Sequence, residues 1–222
     1  MKGGVQELEK RMILKNGVLI AIEGIDGAGK TTQSKILCGK LQKEGYPTAC
    51  FHEPTDGKWG VKIRDLAKNG RRETSPEEEM NFFYQDRIED VEKHISPALK
   101  DKEVVIMDRY YFSNIAYQSA RGLDPRIIEE RNEKIAPKPD LLIILDLTPQ
   151  AALKRIKEKR SGKPNHFERL KHLEKIQETF LKYFRERPYA KIIDGDDARS
   201  ESTIANEIWN VVKPIVKEAE AR

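Results

Sequence analysis

The sequence VLIAIEGIDGAGKTT, residues 18–32, contains a strand, a glycine-rich loop and the start of a helix. Its apolar run is too short for a buried helix and has the length of a strand covered on both faces. The loop follows the pattern G-x-x-x-x-G-K-T, with Gly24, Gly29, Lys30 and Thr31 at the four fixed positions. A loop of this kind turns its backbone N–H groups around a phosphate chain, while the lysine reaches the β- and γ-phosphates and the threonine hydroxyl binds Mg²⁺. The pattern predicts a nucleoside triphosphate site.

The composition of the chain is that of an ordinary α/β domain. It has 222 residues, and its 41 basic and 37 acidic side chains give a net charge of +4. Because this small basic excess is spread along the chain, we expect no nucleic-acid partner. No apolar run approaches the length of a transmembrane helix, and residues 1–16 are too charged for a signal peptide. We therefore expect a cytoplasmic protein with no membrane partner.

The two cysteines, Cys38 and Cys50, show no C-x-x-C or metal-binding spacing. In a cytoplasmic protein, we expect them to be small buried thiols in a reducing compartment.

Strands and helices alternate along the chain. The apolar runs predict strands at residues 18–22, 48–51, 103–107, 141–147 and 191–194, and Ser75 with Pro76 begins a helix predicted over 76–95. This alternation predicts an α/β fold with a five-stranded parallel sheet and helices on both faces. We expect residues 1–16 to be an N-terminal extension and residues 17–218 to form a single domain.

A carboxylate and an arginine, Asp108 and Arg109, follow the third predicted strand. Beside a phosphate loop, a carboxylate at a strand end holds the water shell of Mg²⁺ opposite the loop threonine, here Thr31. We expect Arg109 to project from the same strand end toward the phosphates. The sequence has no N-K-x-D element of the kind that GTPases use to bind guanine.

Several motifs resemble those of thymidylate kinases, which belong to the nucleoside monophosphate kinase group of P-loop kinases. The most specific is DRYYFSNIAYQ at residues 108–118. The others are EGIDGAGKTT (23–32), HEPTD (52–56), FFYQDR (82–87), KPDLLIILDL (138–147) and a basic segment after Arg155. The resemblance implies a three-layer P-loop kinase fold with a short lid at about 157–168. It also implies phosphoryl transfer from ATP to dTMP, Mg²⁺ as the cofactor, and a homodimer.

The resemblance further implies which residues bind dTMP. Asp26 should approach the 3′-hydroxyl of the deoxyribose, Phe83 should stack on thymine, and Arg87 should donate to a thymine carbonyl oxygen. Arg109 should bind the acceptor phosphate, and Tyr117 should lie against C2′ and so exclude a ribose. The other expected contacts with dTMP are Glu53, Pro54, Ser113, Asn114 and Gln118.

On the ATP side, the resemblance implies contacts from the loop and from Arg155, which should lie against the adenine. The expected loop contacts are Gly24, Ile25, Asp26, Gly27, Ala28, Gly29, Lys30, Thr31 and Thr32. The expected catalytic residues are Lys30, Asp108, Arg109 and Arg160, with Thr31 and Asp108 as Mg²⁺ ligands. Some thymidylate kinases carry an arginine at the position of Gly27, whereas others supply that charge from the lid. This chain is similar to the second kind.

Two alternatives stay open from the sequence. A kinase of another nucleotide or of a deoxynucleoside could share the fold, and a nucleoside hydroxyl would need a base, for which Glu53 is suitably placed. A regulatory P-loop ATPase is the second alternative, and it would hydrolyse ATP without an acceptor. Arg64 is a further candidate for the acceptor phosphate, because the chain lacks the arginine that some relatives carry directly after the proline.

Overall fold

The computed structural model describes residues 12–69, 74–159, 166–196 and 198–221. In this part of the chain, five parallel strands form one sheet in the order β2-β3-β1-β4-β5. The strands are β1 (Val18–Glu23), β2 (Thr48–His52), β3 (Val104–Asp108), β4 (Leu141–Asp146) and β5 (Ala190–Asp194). The predicted sheet is confirmed, and each strand end lies within one residue of its prediction.

Helices cover both faces of the sheet and give the predicted three layers. The helices are α1 (Lys30–Lys43), α2 (Lys58–Asn69), α3 (Pro76–Asp90), α4 (Ser96–Lys100), α5 (Tyr111–Ser119), α6 (Pro125–Glu133), α7 (Pro149–Lys159), α8 (His166–Tyr183) and α9 (Glu201–Glu218). Helix α1 packs with α9 on one face, and α5 packs with α3 and α8 on the other. The central strands β1, β3 and β4 are almost wholly buried between these layers.

The predicted start of α3 is confirmed, but the helix is not regular to its predicted end. The Ser75 hydroxyl accepts a hydrogen bond from the Glu78 N–H at 3.1 Å, and Pro76 occupies the first turn. After Asp90 the backbone widens into a π-helical turn, Val91–Ile95, before α4 begins. Pro97 follows directly, and proline has no N–H and crowds the carbonyl four residues before it.

The strand order places the segments that follow β1, β2 and β3 at one edge of the sheet. In the register of the sheet, Asp108 at the end of β3 lies beside Ile22 of β1 on one side and His52 of β2 on the other. The segments that follow these three strands therefore meet at the carboxyl edge. Open α/β sheets bind ligands at this edge, where the strand order reverses.

The expectation of two free thiols is wrong, since Cys38 and Cys50 form a disulfide between α1 and β2. Their Cα atoms are 6.5 Å apart, which is within the range that a disulfide spans. The residues are 12 positions apart in sequence, and only the packing of α1 against β2 brings them together.

Parts of the predicted extension and lid lie outside the described residues. This is the case for residues 1–11, for 160–165 and so for Arg160. Residues 12–16 are joined to the end of the chain, because Leu14 is buried and pairs with Glu220 in an antiparallel bridge. Among the described helices, none combines the length and the apolar character needed to cross a bilayer.

Candidate active site

The glycine-rich loop connects β1 to α1 and curls around the ammonium group of Lys30. The Lys30 Nζ donates to the carbonyl oxygens of Gly24 at 2.9 Å and Ile25 at 2.8 Å. Burial, together with the nearby charge of Arg109, lowers the pKa of Lys30 to about 7. Because an anion would reverse this effect, the ammonium group is set to bind phosphate. Ile25 and Ala28 are buried, so loop contacts with a ligand would come from backbone N–H groups.

Thr31, in the first turn of α1, meets Asp108 at the end of β3. The threonine hydroxyl donates to Asp108 Oδ2 at 2.5 Å. Asp108 Oδ1 is buried and has no hydrogen-bond partner among the described residues. Mg²⁺ is commonly held by one or two protein oxygens together with water and substrate phosphates. Asp108 Oδ1, beside the Thr31 hydroxyl, fits such an ion. Among the described residues, no cluster of three or more His, Cys, Asp or Glu side chains is suited to hold a metal through protein ligands alone.

Arg109 directly follows β3 and lies against Asp26 of the phosphate loop. Its backbone φ is +69°, a left-handed conformation that is uncommon for a residue with a side chain. Its guanidinium pairs with the Asp26 carboxylate, donates to Ser113 Oγ at 2.9 Å and lies 5.5 Å from the centre of the Tyr117 ring. Burial raises the pKa of Asp26, but the charges of Arg109 and Lys30 outweigh it and keep the pKa below its usual value.

Glu23, the last residue of β1, is a functional residue that the sequence analysis missed. Its carboxylate is fully buried and accepts hydrogen bonds from the Tyr110 N–H at 2.7 Å, the Ser113 N–H at 3.0 Å and the Ser113 hydroxyl at 2.6 Å. Burial raises the pKa of Glu23, and the charge of Arg109 opposes that rise. Glu23 thus fixes the start of α5 and the backbone that carries Arg109. A carboxylate at the end of an apolar strand was the available signal.

A second group of buried polar residues connects the loop that follows β2 to α3 and α6. Arg87 of α3 donates from Nε to Glu53 Oε1 at 3.0 Å and from its NH2 group to Glu53 Oε2, so both carboxylate oxygens are engaged. The NH1 group of Arg87 donates to the side-chain oxygen of Asn132. Burial raises the pKa of Glu53, and Arg87 opposes this rise. The net result is a pKa of about 8. Because both oxygens accept hydrogen bonds from Arg87, a substrate hydroxyl would find no free Glu53 oxygen to which it could donate.

The loop after Glu53 is held from two sides. Arg64 of α2 donates to the carbonyl oxygens of Pro54 at 3.0 Å and Thr55 at 2.7 Å, and pairs with Asp56 at 3.1 Å. Asp86 of α3 accepts from the Thr55 N–H at 2.8 Å and from its hydroxyl at 2.6 Å. The loop therefore has a fixed position relative to α3, where Arg87 and the half-buried Phe83 lie.

A cleft of about 790 Å³ lies between α1 and the loop after β2. Its lining includes Thr31, Asp108 and Arg109 on one side and Glu53, Pro54 and Arg64 on the other. A phosphate chain bound by the first set would thus face a second ligand bound near the other set.

Comparisons with known proteins agree with this geometry. Residues 22–208 match the family model described as thymidylate kinase. The chain belongs to the thymidylate kinase family.

Individual relatives of the chain include proteins named thymidylate kinases. It is 51% identical over 164 residues to a probable thymidylate kinase of Archaeoglobus fulgidus, which covers 74% of this chain and 81% of the relative. It is 44% identical over 183 residues to a thymidylate kinase of Xylella fastidiosa, covering 82% of each chain. A crystal structure of thymidylate kinase from Ehrlichia chaffeensis is similar with a TM-score of 0.68 at 25% identity, covering 88% of this chain and 98% of that one.

Gly27 lies where the phosphate loop passes close to α7. Its φ is +88°, and a Cβ atom added here would lie 2.9 Å from the backbone oxygen of Ala152 in α7. A side chain here is therefore disfavoured on both conformational and steric grounds. Arg155, one helical turn after Ala152, donates to the carbonyl oxygens of Gly27 at 3.1 Å and Gly195 at 3.2 Å, so it lies over the outer side of the loop.

Three residues predicted to contact the thymine or deoxyribose of dTMP lie together on α5. They are Asn114, Tyr117 and Gln118. Asn114 Nδ2 and Gln118 Oε1 are buried and have no hydrogen-bond partner in the described part of the chain, whereas the Tyr117 hydroxyl lies against Asp26 and Arg109. Buried polar atoms without partners are uncommon and are expected where a ligand supplies the partner. Sequence reasoning did not predict Asn132 of α6, which contacts both Arg87 and Asn114.

Proposed function

We propose that this protein transfers the γ-phosphoryl group of ATP to dTMP and forms dTDP. The observation that carries the proposal is the meeting of Lys30, Arg109 and the Thr31–Asp108 pair at one edge of the sheet, beside the cleft that leads to Glu53 and Pro54. Family membership supports the choice of substrates. Mg²⁺ would be held by Thr31 and Asp108 and would neutralise charge on the phosphates of ATP.

The acceptor explains why the site needs no general base. The second pKa of a phosphomonoester is about 6, so the attacking oxygen of dTMP is already an anion near neutral pH. A deoxynucleoside hydroxyl would instead need a base. Glu53 is the candidate that the sequence offered, but both of its oxygens bind Arg87. The geometry therefore favours a nucleoside monophosphate as acceptor.

The main obstacle to transfer is repulsion between two anionic phosphate groups. Lys30 and Arg109 both contact the phosphate loop and would bring the two groups into line while spreading the developing charge. Arg160, in the predicted lid, is the proposed third cation and lies outside the described residues. Arg155 would lie against the adenine of ATP.

In the proposed binding mode, dTMP lies among side chains of α3, α5, the phosphate loop and the loop after β2. Phe83 would stack on thymine, and Arg87 would donate to a thymine carbonyl oxygen from its remaining N–H groups. Asp26 would approach the 3′-hydroxyl and Tyr117 would lie against C2′. Arg109 and Ser113 would bind at the phosphate, and Pro54, Glu53, Asn114 and Gln118 would complete the pocket.

A coupled assay of ADP release tests the choice of acceptor. We expect rapid turnover with dTMP, weaker turnover with dCMP, and none above background with thymidine. Turnover that is highest with thymidine would identify a deoxynucleoside kinase. ATP hydrolysis that does not depend on any acceptor would instead support the regulatory ATPase.

Replacing Arg109 tests the site itself. Loss of one cation that stabilises the transferring phosphoryl group can lower kcat by roughly 10³. We expect Arg109→Ala to lose about that much turnover while its circular dichroism spectrum is retained. Arg185→Ala, at an exposed position of the chain, is the matched control and should keep full activity. A folded Arg109→Ala enzyme with most of its activity would exclude this role.

The proposal also includes a homodimer, a single kinase domain over residues 17–218 and a cytoplasmic location. The dimer rests on the family resemblance alone. Light scattering of the purified protein coupled to gel filtration would measure its mass directly.

A further inference from the structure

The two oxygens of the Glu23 carboxylate make different kinds of contact. Oε1 accepts hydrogen bonds from the backbone N–H groups of Tyr110 at 2.7 Å and Ser113 at 3.0 Å, at the start of α5. The N-cap residue of this helix, Tyr110, supplies no side-chain hydrogen bond of its own. Oε2 accepts from the Ser113 hydroxyl at 2.6 Å. The first oxygen therefore holds backbone, whereas the second holds a side chain that reaches Arg109.

The Ser113 hydroxyl connects Glu23 to Arg109 in a fixed direction. A guanidinium group can only donate, so Ser113 Oγ accepts the hydrogen bond from Arg109 NH1 at 2.9 Å. The hydroxyl hydrogen of Ser113 then needs an acceptor, and Glu23 Oε2 supplies it. A separation of 2.6 Å is typical of a hydroxyl that donates to a carboxylate.

The guanidinium group of Arg109 is held at two of its nitrogens. NH1 donates to Ser113, and NH2 pairs with Asp26 of the phosphate loop. Because the group is planar, contacts at two nitrogens fix its plane as well as its position. The backbone is held as well, since the Arg109 N–H donates to the Ile22 carbonyl oxygen at 3.1 Å and the next N–H along the chain donates to Glu23. A left-handed backbone such as this one persists only where its surroundings hold it.

We propose that Glu23 is a positioning residue for phosphoryl transfer, which directs the Arg109 guanidinium toward the acceptor phosphate through the Ser113 hydroxyl. The inference rests on the proposed function, in which Arg109 binds that phosphate. Glu23 is 0% exposed, so it acts through these neighbours and not by direct contact with a substrate. The arginine is thereby aimed before the acceptor arrives, which is the preorganisation that stabilises developing charge most effectively.

The variant Glu23→Gln breaks the connection to the side chain and keeps the connection to the backbone. The two backbone N–H groups need an acceptor, so the glutamine oxygen would face them and its NH2 group would face Ser113 Oγ. The Ser113 hydroxyl then loses its acceptor and has to turn, which weakens its hold on Arg109. We expect kcat/KM for dTMP at saturating ATP to fall by roughly 10- to 150-fold, the range for one hydrogen bond to a charged group.

Glu129→Gln is the matched control, because Glu129 is also a buried carboxylate that accepts hydrogen bonds from other parts of the chain. It is 8% exposed and accepts from the Tyr183 hydroxyl at 2.7 Å and from Arg187 at 2.9 Å. We expect this variant to lower Tm and to leave kcat/KM for dTMP unchanged within about twofold. A merely structural role for Glu23 would give the same pattern in Glu23→Gln, whereas the positioning role requires the kinetic loss.

A double-mutant cycle tests whether Glu23 acts through Arg109. In an Arg109→Ala enzyme, whose residual turnover is measured at high enzyme concentration, adding Glu23→Gln should cause no further loss of kcat/KM. For the same reason, Glu23→Gln alone should lose less activity than Arg109→Ala alone. If the glutamine variant does not fold, Ser113→Ala breaks the same connection from its other end. The loss that Ser113→Ala causes should likewise disappear in the Arg109→Ala background.

The outcomes separate this inference from the proposed function. If the unaltered enzyme does not phosphorylate dTMP, the proposed function is wrong. If it does, and folded Glu23→Gln keeps its kcat/KM for dTMP within about twofold, the positioning role is wrong. A loss that persists in the Arg109→Ala background would also overturn it, since Glu23 would then act through another neighbour, such as Lys30, whose charge also reaches it.

Discussion

Replacing Glu53 with glutamine separates a structural ion pair from a catalytic base by a single substitution. Glu53 and Arg87 are 5% and 1% exposed, and the carboxylate receives one hydrogen bond from Nε at 3.0 Å and a second from NH2. In Glu53→Gln, the oxygen that remains can keep only one of these bonds. The new NH2 group would then face an arginine donor, and the guanidinium charge would stay buried without its counter-charge.

The expected cost follows from this burial. Breaking a buried ion pair by removing one partner costs about 3–5 kcal/mol, because the remaining charge is left uncompensated. For a domain of this size, each kcal/mol lowers Tm by about 2–4 °C, so the variant should melt about 6–20 °C lower. Urea denaturation monitored by circular dichroism, together with scanning calorimetry, measures both quantities.

A matched substitution on the surface controls for the chemical change itself. Glu178 and Lys182 form an ion pair on α8 in which both side chains are exposed. Because solvent screens such pairs, Glu178→Gln should leave Tm unchanged within error. At temperatures where Glu53→Gln is folded, we expect it to retain measurable turnover. A variant with unaltered stability and no activity would refute the structural role and identify Glu53 as a base.

Three other predictions follow from the phosphate loop and from α1. Burial and the charge of Arg109 lower the pKa of Lys30 to about 7, and bound phosphate should raise this pKa again. Calorimetry at pH 8 in buffers of different ionisation enthalpy should therefore show proton uptake on ATP binding, and the affinity for ATP should fall as the pH rises above about 7. The variant Lys30→Arg should abolish the proton uptake. Gly27→Ala should destabilise the protein by about 1–2 kcal/mol and weaken ATP binding, because its φ is +88° and its Cβ would lie 2.9 Å from a backbone oxygen. Gly39→Ala, in open space within α1, should be neutral or stabilising, and equal effects of the two substitutions would exclude the steric explanation. Denatured but unreduced protein should show no free thiols, because Cys38 and Cys50 form a disulfide. Reduction should expose two thiols and lower the free energy of unfolding by roughly 3 kcal/mol. Two free thiols in the absence of reductant would contradict the disulfide.

Local features of the chain could be predicted because they depend on neighbouring residues. The loop motif at residues 18–32, the five apolar strands and the capping of α3 by Ser75 all rest on periodicity or on contacts within a few positions. The sequence also predicted that Asp108 lies opposite Thr31, because a phosphate loop needs a carboxylate there, and in the structure the two side chains form a hydrogen bond. These patterns were enough to predict where the candidate site lies.

Contacts between residues far apart in the sequence could not be predicted in this way, because they depend on how the helices and strands pack and not on residue spacing. The sequence suggested Glu53 as a possible base, but the fold places Arg87, 34 residues later, against both of its oxygens. It suggested free thiols, but α1 and β2 bring Cys38 to Cys50. In each case the partner is chosen by which helix covers which strand.

By itself, the sequence determined that a strand, a phosphate loop and a helix occur in that order, and that Lys30, Thr31, Asp108 and Arg109 belong to one site. Only the tertiary structure decided how the surrounding polar groups are oriented. Asn132 lies 45 residues from Arg87 and 18 from Asn114, and the three residues belong to three different helices, so no repeat within one element brings them together. A buried polar side chain needs a hydrogen-bond partner, and here that partner comes from a helix in another part of the sequence. The direction of the hydrogen bond is therefore fixed only when those helices pack together.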